Sequence, residues 1–374
     1  MSHSRKAYRL WAEIDLDALR HNVAAVRAQV GTSVRIMAVV KANAYGHGVR
    51  EVVRAIARQV EMFGVANVIE AIEVRESAPG APVFILGPAL AEERAEIVAR
   101  GFVPAVSSID EAAAYSALAG PQPAPIHLKI DTGMGRIGIW QNEAIALAAA
   151  IRAMPGVVIT GLASHLPVAD EDDAFTREQL EQFARIASKL RSRAGIEGIT
   201  HIENSAGLIG FPAQAGDMVR AGLVLYGSAP RAEFQSRLRQ VMTWKTRVTL
   251  VRQVGSGRGI SYGRAFVTER PMRIATLAAG YADGYQRHLS DRGAAVLIGG
   301  RRCPVLGRVT MDQIMADVTA LPEVQPGEEV VLTGRQGAEE ILARELAEKA
   351  RTIAWEIFTG IGPRVVRVYR GEDQ

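Results

Sequence analysis

Ala38-Val39-Val40-Lys41-Ala42-Asn43-Ala44-Tyr45-Gly46-His47-Gly48 is the stretch around which the rest of the chain is organised. Residues 35–40 form a short, nearly continuous apolar run, typical of a parallel strand buried on both faces, and the run ends in Lys41. An ammonium group at the end of a buried strand loses hydration, which favours the neutral amine, and a neutral amine can condense with an aldehyde. Tyr45 follows closely enough for its hydroxyl to reach an anionic group bound beside the lysine. Taken alone, such a lysine is more often a strand-end charge that extends into solvent.

The length and composition of the chain are those of a globular enzyme with about two domains. It has 374 residues, of which 48% are hydrophobic and 22% charged. The single cysteine, Cys303, excludes an intramolecular disulfide framework and indicates a reducing compartment. No apolar segment follows the basic N-terminus and no apolar run has membrane length, so we expect a cytoplasmic protein without membrane contact. The net charge of +4 is spread along the chain and does not indicate nucleic-acid binding; we also predict no metal site.

Apolar strand candidates alternate with helical patterns over the first part of the chain. The first helix follows Asp15, a candidate cap, and later patterns cover Glu92 to Arg100 and Arg177 to Arg193. The strand candidates lie at about residues 35–41, 62–67, 82–87, 102–107, 126–131, 157–165, 199–204 and 217–226. This alternation predicts an α/β fold, an N-terminal (β/α)8 TIM-like barrel over residues 1–235, with about the first ten residues free to pack on a C-terminal domain.

After residue 235 the pattern of apolar and polar residues changes to one typical of a mainly β C-terminal domain, residues 236–374. Trp244, Thr246, Val248 and Leu250 alternate with polar residues, and turn signals follow at 255–257, 299–300 and 326–327. We predict one helix from about Ala338 to Ala350, with a possible extension near Ile353, and a last strand from Arg364 to Arg370. The glycine-rich run 255–259 lacks the strand, spacing and helix of a phosphate loop, so we interpret it as a turn.

Polar residues stand at the predicted carboxyl ends of the barrel strands, where barrel enzymes place their chemistry. They are Lys41, Asp131, His165, Asn204 and Arg220. Because the eighth strand candidate is long, Arg220 could lie within it and point into the barrel, where it would still need an acceptor.

A phosphate-bearing cofactor at a barrel mouth would be held by the loops after strands seven and eight, where backbone amides converge. Asn204-Ser205-Ala206-Gly207 and Gly222-Leu223 occupy those loops. Read alone, Asn204 and Ser205 are equally consistent with an ordinary helix cap, and Gly222 with a packing glycine.

The opening stretch closely resembles the pyridoxal-phosphate lysine motif of the alanine racemases, and the resemblance extends over essentially the whole chain. The further matching segments are Lys129-Ile130-Asp131-Thr132-Gly133-Met134-Gly135-Arg136-Ile137-Gly138, Asp217-Met218-Val219-Arg220-Ala221-Gly222, Ile260-Ser261-Tyr262-Gly263-Arg264, Gly280-Tyr281-Ala282-Asp283-Gly284-Tyr285 and Arg308-Val309-Thr310-Met311-Asp312-Gln313. The resemblance implies pyridoxal 5'-phosphate as cofactor. The implied cofactor-binding residues are Lys41, Tyr45, His165, Asn204, Ser205, Arg220, Gly222, Leu223 and Trp355.

The resemblance also assigns roles to three basic residues. Arg136 would contact the cofactor phenolate and the substrate carboxylate, and a carbamylated Lys129 would hold Arg136 in place. Arg220 would face the pyridine nitrogen. A guanidinium does not readily give up a proton, so it would keep that nitrogen unprotonated, weaken the ring as an electron sink and disfavour transamination.

Racemisation needs two bases, one on each face of the substrate's α-carbon. Lys41 supplies one, and by resemblance Tyr262 of a partner subunit supplies the other, which implies a homodimer with shared active sites. A phenol is a poor base near neutral pH unless cations or hydrogen bonds lower its pKa, and His165 and Arg220 are the family's candidates for that network. Read alone, an exposed tyrosine in a glycine turn is more often an interface residue.

The entrance to the site follows from the same resemblance. The Met311 amide would bind the substrate carboxylate, and Tyr281 with Asp312 would narrow the entrance, which favours alanine over larger substrates. Thr310 replaces a cysteine common in relatives, with little expected consequence. Trp355, followed by Glu356, replaces a phosphate-binding tyrosine, and an indole can donate one hydrogen bond but accept none.

The sequence therefore predicts a racemase that interconverts L- and D-alanine, either supplying D-alanine for peptidoglycan or degrading it. One alternative is a broader amino-acid racemase or a decarboxylase of the same fold, against which the tyrosine loop, Arg220 and the narrow entrance argue. The other alternative is a non-catalytic pyridoxal-phosphate carrier, which would resemble the barrel alone.

Overall fold

The computed structural model describes residues 8–214 and 216–371. These residues form two compact units. The barrel unit consists of Leu19–Ala44 and Val49–Arg239, and the β unit consists of the described residues up to Ala18, the segment Tyr45–Gly48 and the chain from Gln240 onward. No helix among the described residues is long and apolar enough to cross a membrane.

The barrel unit is built on eight main parallel strands, each of which overlaps one of the segments predicted from sequence, and on a short ninth strand that was not predicted. After β1 (Leu10–Asp15), which belongs to the β unit, the strands are β2 (Arg35–Val39), β3 (Met62–Val65), β4 (Val83–Ile85), β5 (Val103–Val106), β6 (Ala124–Asp131), β7 (Ile139–Trp140), β8 (Val157–Ala163), β9 (Ile199–His201) and β10 (Met218–Ala221). Their order is β10-β2-β3-β4-β5-β6-β8-β9, with the short β7 paired beside β6. The predicted fold class, a barrel followed by a mainly β domain, is confirmed.

The seam between β9 and β10 is nearly closed by a few polar contacts. The Arg220 N–H donates to the Glu203 carbonyl at 3.0 Å. The Asp217 carboxylate accepts from the N–H and the hydroxyl of Thr200 at 2.7 and 2.8 Å. A side chain therefore replaces part of the backbone ladder at this seam.

The interior of the barrel is filled by apolar side chains from different strands. One buried cluster takes a single residue from each of six strands, namely Met37, Met62, Phe84, Ala105, Ala163 and Met218. Such packing leaves a solid core, so ligands can bind only where the strands end.

Helices follow the strands as predicted. Those of the N-terminal part are Leu16–Val30, Val49–Ile56, Val68–Ser77, Arg94–Ala99, Ile109–Leu118, Ala144–Arg152, Asp173–Ala194 and Ser205–Gly210. The predicted cap at Asp15 is confirmed, since its carboxylate accepts from the Ala18 N–H at 2.8 Å. The eighth strand is shorter than predicted: it ends at Ala221, and Leu223–Tyr226 forms a 3-10 turn because Gly222 redirects the backbone.

The β unit is organised around a closed ring of antiparallel strands. Its strands after β1 are β11 (Met242–Val254), β12 (Gly259–Ile260), β13 (Phe266–Val267), β14 (Met272–Leu277), β15 (Ala295–Ile298), β16 (Arg301–Leu306), β17 (Ile314–Asp317), β18 (Glu329–Gln336), β19 (Glu339–Ile341) and β20 (Val366–Arg370). The ring runs β18-β15-β16-β17-β14-β11, and β11 pairs back with β18. β1 lies between β11 and β20 in the same sheet.

The N-terminal residues that the structure describes contact β11. The Tyr8 carbonyl accepts from Arg247 at 2.9 Å and the Arg9 carbonyl from Thr246 at 3.2 Å. The prediction that about the first ten residues pack on the C-terminal domain falls largely on residues 1–7, which lie outside the described residues.

Three details of the C-terminal prediction were wrong. Leu250 is 45% exposed because the register of β11 shifts between Val248 and Leu250, which ends the alternation. The helix begins at Ala343 rather than Ala338, because β19 first pairs with β18 as a hairpin. It ends at Ala350, where Arg351 adopts a left-handed conformation (φ 57°), and a separate helix spans Ala354–Thr359. The last strand begins at Val366 instead of Arg364.

Candidate active site

Lys41 begins a left-handed turn at the end of β2. Ala42, Asn43, Ala44 and Tyr45 all have φ between 51° and 54°, a left-handed region that residues other than glycine adopt at an energetic cost. The Glu70 carboxylate holds the turn, since it accepts from the N–H groups of Ala42 and Ala66, both at 2.8 Å. The turn directs the chain away from the strand immediately after the lysine.

The Lys41 amine is partly buried and lies near other charged groups. Burial, followed by the charges of Arg136 and Arg220, lowers the pKa of Lys41 below its ordinary value, while Glu70 opposes this shift. A lowered pKa increases the fraction of neutral amine, which is the nucleophilic and basic form.

The loop after β6 wraps around the Asp131 carboxylate. Its oxygens accept from the N–H groups of Gly133, Met134 and Gly135 at 2.8 to 2.9 Å. These bonds fix the loop that carries Arg136, whose charge acts on Lys41 and on Lys129. The hydrogen-bonding capacity of the Asp131 carboxylate is thus used by its own loop, and the same bonds set the conformation of that loop.

Lys129 is buried in β6 beside this loop. Burial and the charges of Arg220 and Arg136 lower the pKa of Lys129 well below its usual value, against the influence of Asp131. A lowered pKa increases the fraction of neutral amine, which is the form that reacts with an electrophile.

Arg220 is buried in β10 and satisfied without a carboxylate contact among the described residues. One terminal nitrogen donates to the His201 ring (2.8 Å) and the His201 carbonyl (2.9 Å). The other donates to the carbonyls of Ser164 (2.7 Å) and Ile202 (2.9 Å) and to the Nδ1 atom of His165 (3.0 Å). The guanidinium therefore joins the ends of β8, β9 and β10, and it has the acceptors that a buried arginine requires.

Three neutral histidines extend this network into the barrel. The Nδ1 atoms of His165 and His201 accept from Arg220, and His201 Nε2 lies 2.8 Å from His127 Nδ1. Burial and the charge of Arg220 lower the pKa of His127 to about 3 and those of His165 and His201 well below their usual values. This pattern assigns the proton of His201 to Nε2, from which it is donated to His127.

The two predicted phosphate loops contact each other through Ser205. Its hydroxyl oxygen accepts from the Gly222 N–H at 3.0 Å and from the Val224 N–H at 3.4 Å. Asn204 caps the helix that begins at Ser205 by accepting from the Gly207 N–H at 3.0 Å. Asn204 is therefore a helix cap, and the neighbouring Ser205 joins two amide-rich turns at the barrel mouth.

Tyr45 and Trp355 lie together in the β unit. The Tyr45 hydroxyl bonds to the Trp355 side chain, and since an indole only donates, the hydroxyl accepts. Burial raises the pKa of Tyr45, so its own proton stays available for donation. The segment is anchored by Arg367, which donates to the Gly46 carbonyl at 3.0 Å.

Tyr262 is presented on a strained turn of the β unit and is 69% exposed. The preceding Ser261 has φ 64° and ψ −176°, a conformation that is costly for any residue but glycine. Its hydroxyl donates to the Arg308 carbonyl at 2.5 Å, and Arg308 also packs against Gly263. The surrounding structure thus holds the turn, from which the tyrosine side chain faces solvent.

The entrance residues predicted from sequence also lie together in the β unit. The N–H groups of Tyr281 and Ala282 donate to the carbonyls of Thr310 and Met311, both at 3.0 Å. Asp312 pairs with Arg364 at 2.9 Å, and Arg364 also contacts the buried Asp283. Tyr281 and Met311 keep exposed side chains.

Sequence reasoning missed several residues that support these groups. His201 contacts Arg220, Glu70 holds the turn after Lys41, and Glu203 is a fully buried acid beside Arg220. His201 could have been found from its place inside a strand candidate, three residues before Asn204. Glu70 lies in a helix, where its sequence gives no sign of a long-range contact.

Comparison with known proteins identifies the family. The alanine racemase N-terminal domain matches residues 14–230 and the C-terminal domain matches residues 241–369. The alanine racemases of Halothermothrix orenii and Symbiobacterium thermophilum are 42% and 43% identical over 368 residues, which cover 97% of this chain and 97% of each relative. The solved alanine racemase of Streptomyces lavendulae has a TM-score of 0.88 at 36% identity and covers 97% of both chains. That of Bacillus anthracis has a TM-score of 0.88 at 34% identity, with 100% of this chain and 97% of the other covered. The chain belongs to the alanine racemase family.

Proposed function

We propose that this racemase interconverts L- and D-alanine on bound pyridoxal 5'-phosphate, with Lys41 and Tyr262 as the two bases. The observation that carries the proposal is the desolvated Lys41 amine at the mouth of a barrel of the alanine racemase family. The Bacillus anthracis relative was solved with bound L-Ala-P, which supports an alanine-sized substrate.

The residues of the barrel mouth fit an anionic aldehyde cofactor. Besides burial, four cations act on His165 and lower its pKa, namely Arg220, Lys129, Arg136 and Lys41. This concentration of positive charge favours a phosphate and a phenolate. Asn204, Ser205, Gly222 and Leu223 would hold the phosphate with amide and hydroxyl groups, and Arg220 would face the ring nitrogen. Tyr45, Trp355 and His165 remain predicted cofactor contacts.

Pyridoxal phosphate, when bound, withdraws electrons from the substrate and acidifies its α-proton. Lys41 would exchange that proton on one face of the α-carbon, which its lowered pKa favours because the neutral amine is the base. Arg136, fixed by the Asp131 loop, would orient the substrate carboxylate, together with the Met311 amide.

Tyr262 would exchange the proton on the opposite face. Its exposed position on a rigid turn supports a role towards a second copy of the chain, so we propose a homodimer with shared active sites. Tyr281 and Asp312 would line the entrance and exclude larger side chains.

Lys129 would carry a carbamate, formed from carbon dioxide and its neutral amine, that holds Arg136. The lowered pKa of Lys129 supports this because only the neutral amine adds to carbon dioxide. As the nitrogen–carbon bond forms, the nitrogen releases one proton to solvent, so a neutral amine would become an anion that faces the charges of Arg136 and Arg220. The enzyme would act in the cytoplasm, supplying D-alanine for peptidoglycan or degrading it.

The first test is a circular-dichroism time course of L-alanine with the cofactor-loaded protein, with total alanine assayed at the end. We expect the signal to decay to zero while alanine is conserved. A steady signal would contradict racemisation, and loss of alanine would indicate a different reaction.

The second test replaces Tyr262 with phenylalanine. We expect inversion of L-alanine to fall by at least about 10²-fold, because general-base assistance is lost, while Lys41 still exchanges the α-proton of D-alanine with deuterium from solvent. Proton NMR in heavy water measures both rates. Tyr285→Phe is the matched control, since the buried Tyr285 hydroxyl has no hydrogen-bond partner among the described residues. Unchanged inversion in Tyr262→Phe would remove Tyr262 from the mechanism.

A further inference from the structure

Glu203 is a buried acid between β9 and the Asn204–Ser205 loop. Its side chain is fully buried, and neither carboxylate oxygen has a hydrogen-bond partner within the described part of the chain. The carboxyl stem packs under the first turn of the next helix, where a Cβ on Gly207 would meet Glu203 Cγ at 3.3 Å. Buried polar groups without partners are rare, so this one needs a physical explanation.

The backbone around Glu203 is bonded directly to Arg220. The Arg220 N–H donates to the Glu203 carbonyl at 3.0 Å. The guanidinium donates to the carbonyls of the two preceding residues, His201 and Ile202, both at 2.9 Å. Arg220 and Glu203 are therefore held at the same strand end, with little room to move apart.

The charges of the two side chains act on each other. Burial lowers the pKa of Arg220 to about 10, and Glu203 is the acid whose charge opposes that shift. Arg220 in turn helps to hold down the pKa of Glu203. No carboxylate contacts Arg220 among the described residues, so Glu203 supplies a counter-charge to a buried cation, which is unfavourable without one.

We propose that Glu203 is a positioning residue whose buried carboxyl group, through its own charge, sets the net positive charge that Arg220 presents at the barrel mouth. The proposal rests on the proposed function, in which Arg220 faces the cofactor ring nitrogen. It adds a residue that acts on the cofactor only through Arg220.

The environment of Glu203 favours gain and loss of its proton near neutral pH. Burial raises the pKa of Glu203 to about 7, against the nearby backbone N–H groups of Glu203, Gly216 and Ile202 and the charge of Arg220. In acid the neutral carboxyl leaves the Arg220 charge uncompensated. In base the carboxylate offsets it.

Other titratable groups face Arg220 from the neighbouring elements. These groups are His127 and Lys129 on β6, His165 after β8, His201 on β9, Arg136 in the loop after β6 and Lys41 after β2. The histidines have lowered pKa values and stay neutral near pH 7. The pKa values of the two lysines are lowered as well, so their charges can also change with pH. A comparison of variants that differ only at Glu203 separates its contribution from theirs.

The first measurement uses the cofactor-free protein. Glu203→Gln keeps the shape of the side chain but removes its ionisation. Because the pKa of Glu203 is raised from an ordinary value of 4.5 to about 7, the difference in melting temperature between Glu203→Gln and the unaltered protein should grow in favour of the variant from about pH 5 to pH 7 and then level off up to pH 9. Glu197→Gln, at an exposed position, is the matched control and should show no such trend. A difference independent of pH would overturn proton exchange at Glu203.

The second measurement uses the loaded enzyme. The absorbance of bound pyridoxal phosphate and the value of kcat/KM should both show an inflection near pH 7 that Glu203→Gln loses and Glu197→Gln keeps. If the melting temperatures differ as expected but both inflections persist in Glu203→Gln, the acid is buried without a positioning role. Failure of the unaltered protein to bind the cofactor or racemise alanine would overturn the proposed function and the positioning role with it. The cofactor-free measurement would still decide whether Glu203 ionises.

Discussion

Arg220 shows how a single buried cation can be satisfied without a carboxylate contact. Its guanidinium group donates hydrogen bonds to three backbone carbonyls and two imidazole nitrogens at the ends of three strands. A guanidinium is planar and presents its donors in a rigid fork, whereas an ammonium is a compact point charge with three donors. The geometry, as much as the charge, fixes the identity of this residue.

Replacing Arg220 with lysine should therefore destabilise the protein even though the charge is kept. Each buried acceptor left unpaired costs about 1–3 kcal/mol, so we expect a loss of about 2–4 kcal/mol in the free energy of unfolding. Urea unfolding measures it, with Arg193→Lys, on an exposed stretch, as control. Equal stability of Arg220→Lys and the unaltered protein would show that charge alone suffices.

At the scale of elements, the left-handed turn after Lys41 is the feature that local sequence could not predict. Alanine has no preference for this conformation, and three hydrogen bonds hold it, of which only the one from Ala42 to Glu70 is long-range. The Glu70 carboxylate bonds to Ala42 and Ala66, and Asn43 accepts from the Val49 N–H at 2.8 Å. The eight barrel strands were predictable because strands buried on both faces are continuous apolar runs. The end of the eighth was not, since the 3-10 turn Leu223–Tyr226 is equally apolar.

Glycine at position 42 should relieve the strain of this turn. A left-handed alanine costs about 1–2 kcal/mol, and the extra flexibility of glycine in the unfolded chain offsets about 0.5–1 kcal/mol of the relief. We expect Ala42→Gly to leave the free energy of unfolding unchanged or raise it by up to about 1 kcal/mol. Ala24→Gly, on the exposed face of the right-handed helix Leu16–Val30, should lower it by about 1 kcal/mol. Equal losses in both variants, measured by urea unfolding, would contradict the strain.

The seam between β9 and β10 should weaken in acid. Burial alone would raise the pKa of Asp217, but hydrogen bonds from Thr200 and the charge of Arg191 outweigh it and lower the value below 3.8. A depressed pKa gives stability that is present above the unfolded value and lost as pH falls through the folded one. Asp217→Asn should thus be less stable by about 1–2 kcal/mol at pH 7, with the difference shrinking below about pH 4. Urea unfolding at both pH values, with Asp170→Asn as an exposed control, tests this.

At the scale of the molecule, the predicted site residues separate into a barrel set and a β-unit set. The barrel set was foreseeable because chemistry collects where parallel strands end, and Lys41, His165 and Arg220 all follow from that rule. Tyr262 was foreseeable only by resemblance, since an exposed tyrosine has no local signature. Glu203 was missed because its importance lies in burial and in the charge of a residue on another strand.

Shared active sites make a quantitative prediction for mixed dimers. Lys41→Ala and Tyr262→Phe should each be inactive alone. If Lys41 and Tyr262 of one site come from different subunits, a one-to-one mixture reassembled from subunits should regain about one quarter of the specific activity, because half of the dimers are mixed and each has one intact site. No recovery after verified subunit exchange would show that both residues act within one chain.

The route of the chain through the two units constrains how proteins of this kind can be recombined. β1 and the Tyr45–Gly48 segment cluster with the chain from Gln240 onward, although Val49–Arg239 of the barrel unit lies between them and that part. β1 even lies between β11 and β20 in the sheet. In a chimera joined only at residue 240, β1 and Tyr45 would therefore come from one parent, and their sheet neighbours and Trp355 from the other. An exchange of the β unit that preserves its parentage must transfer three separate gene segments together.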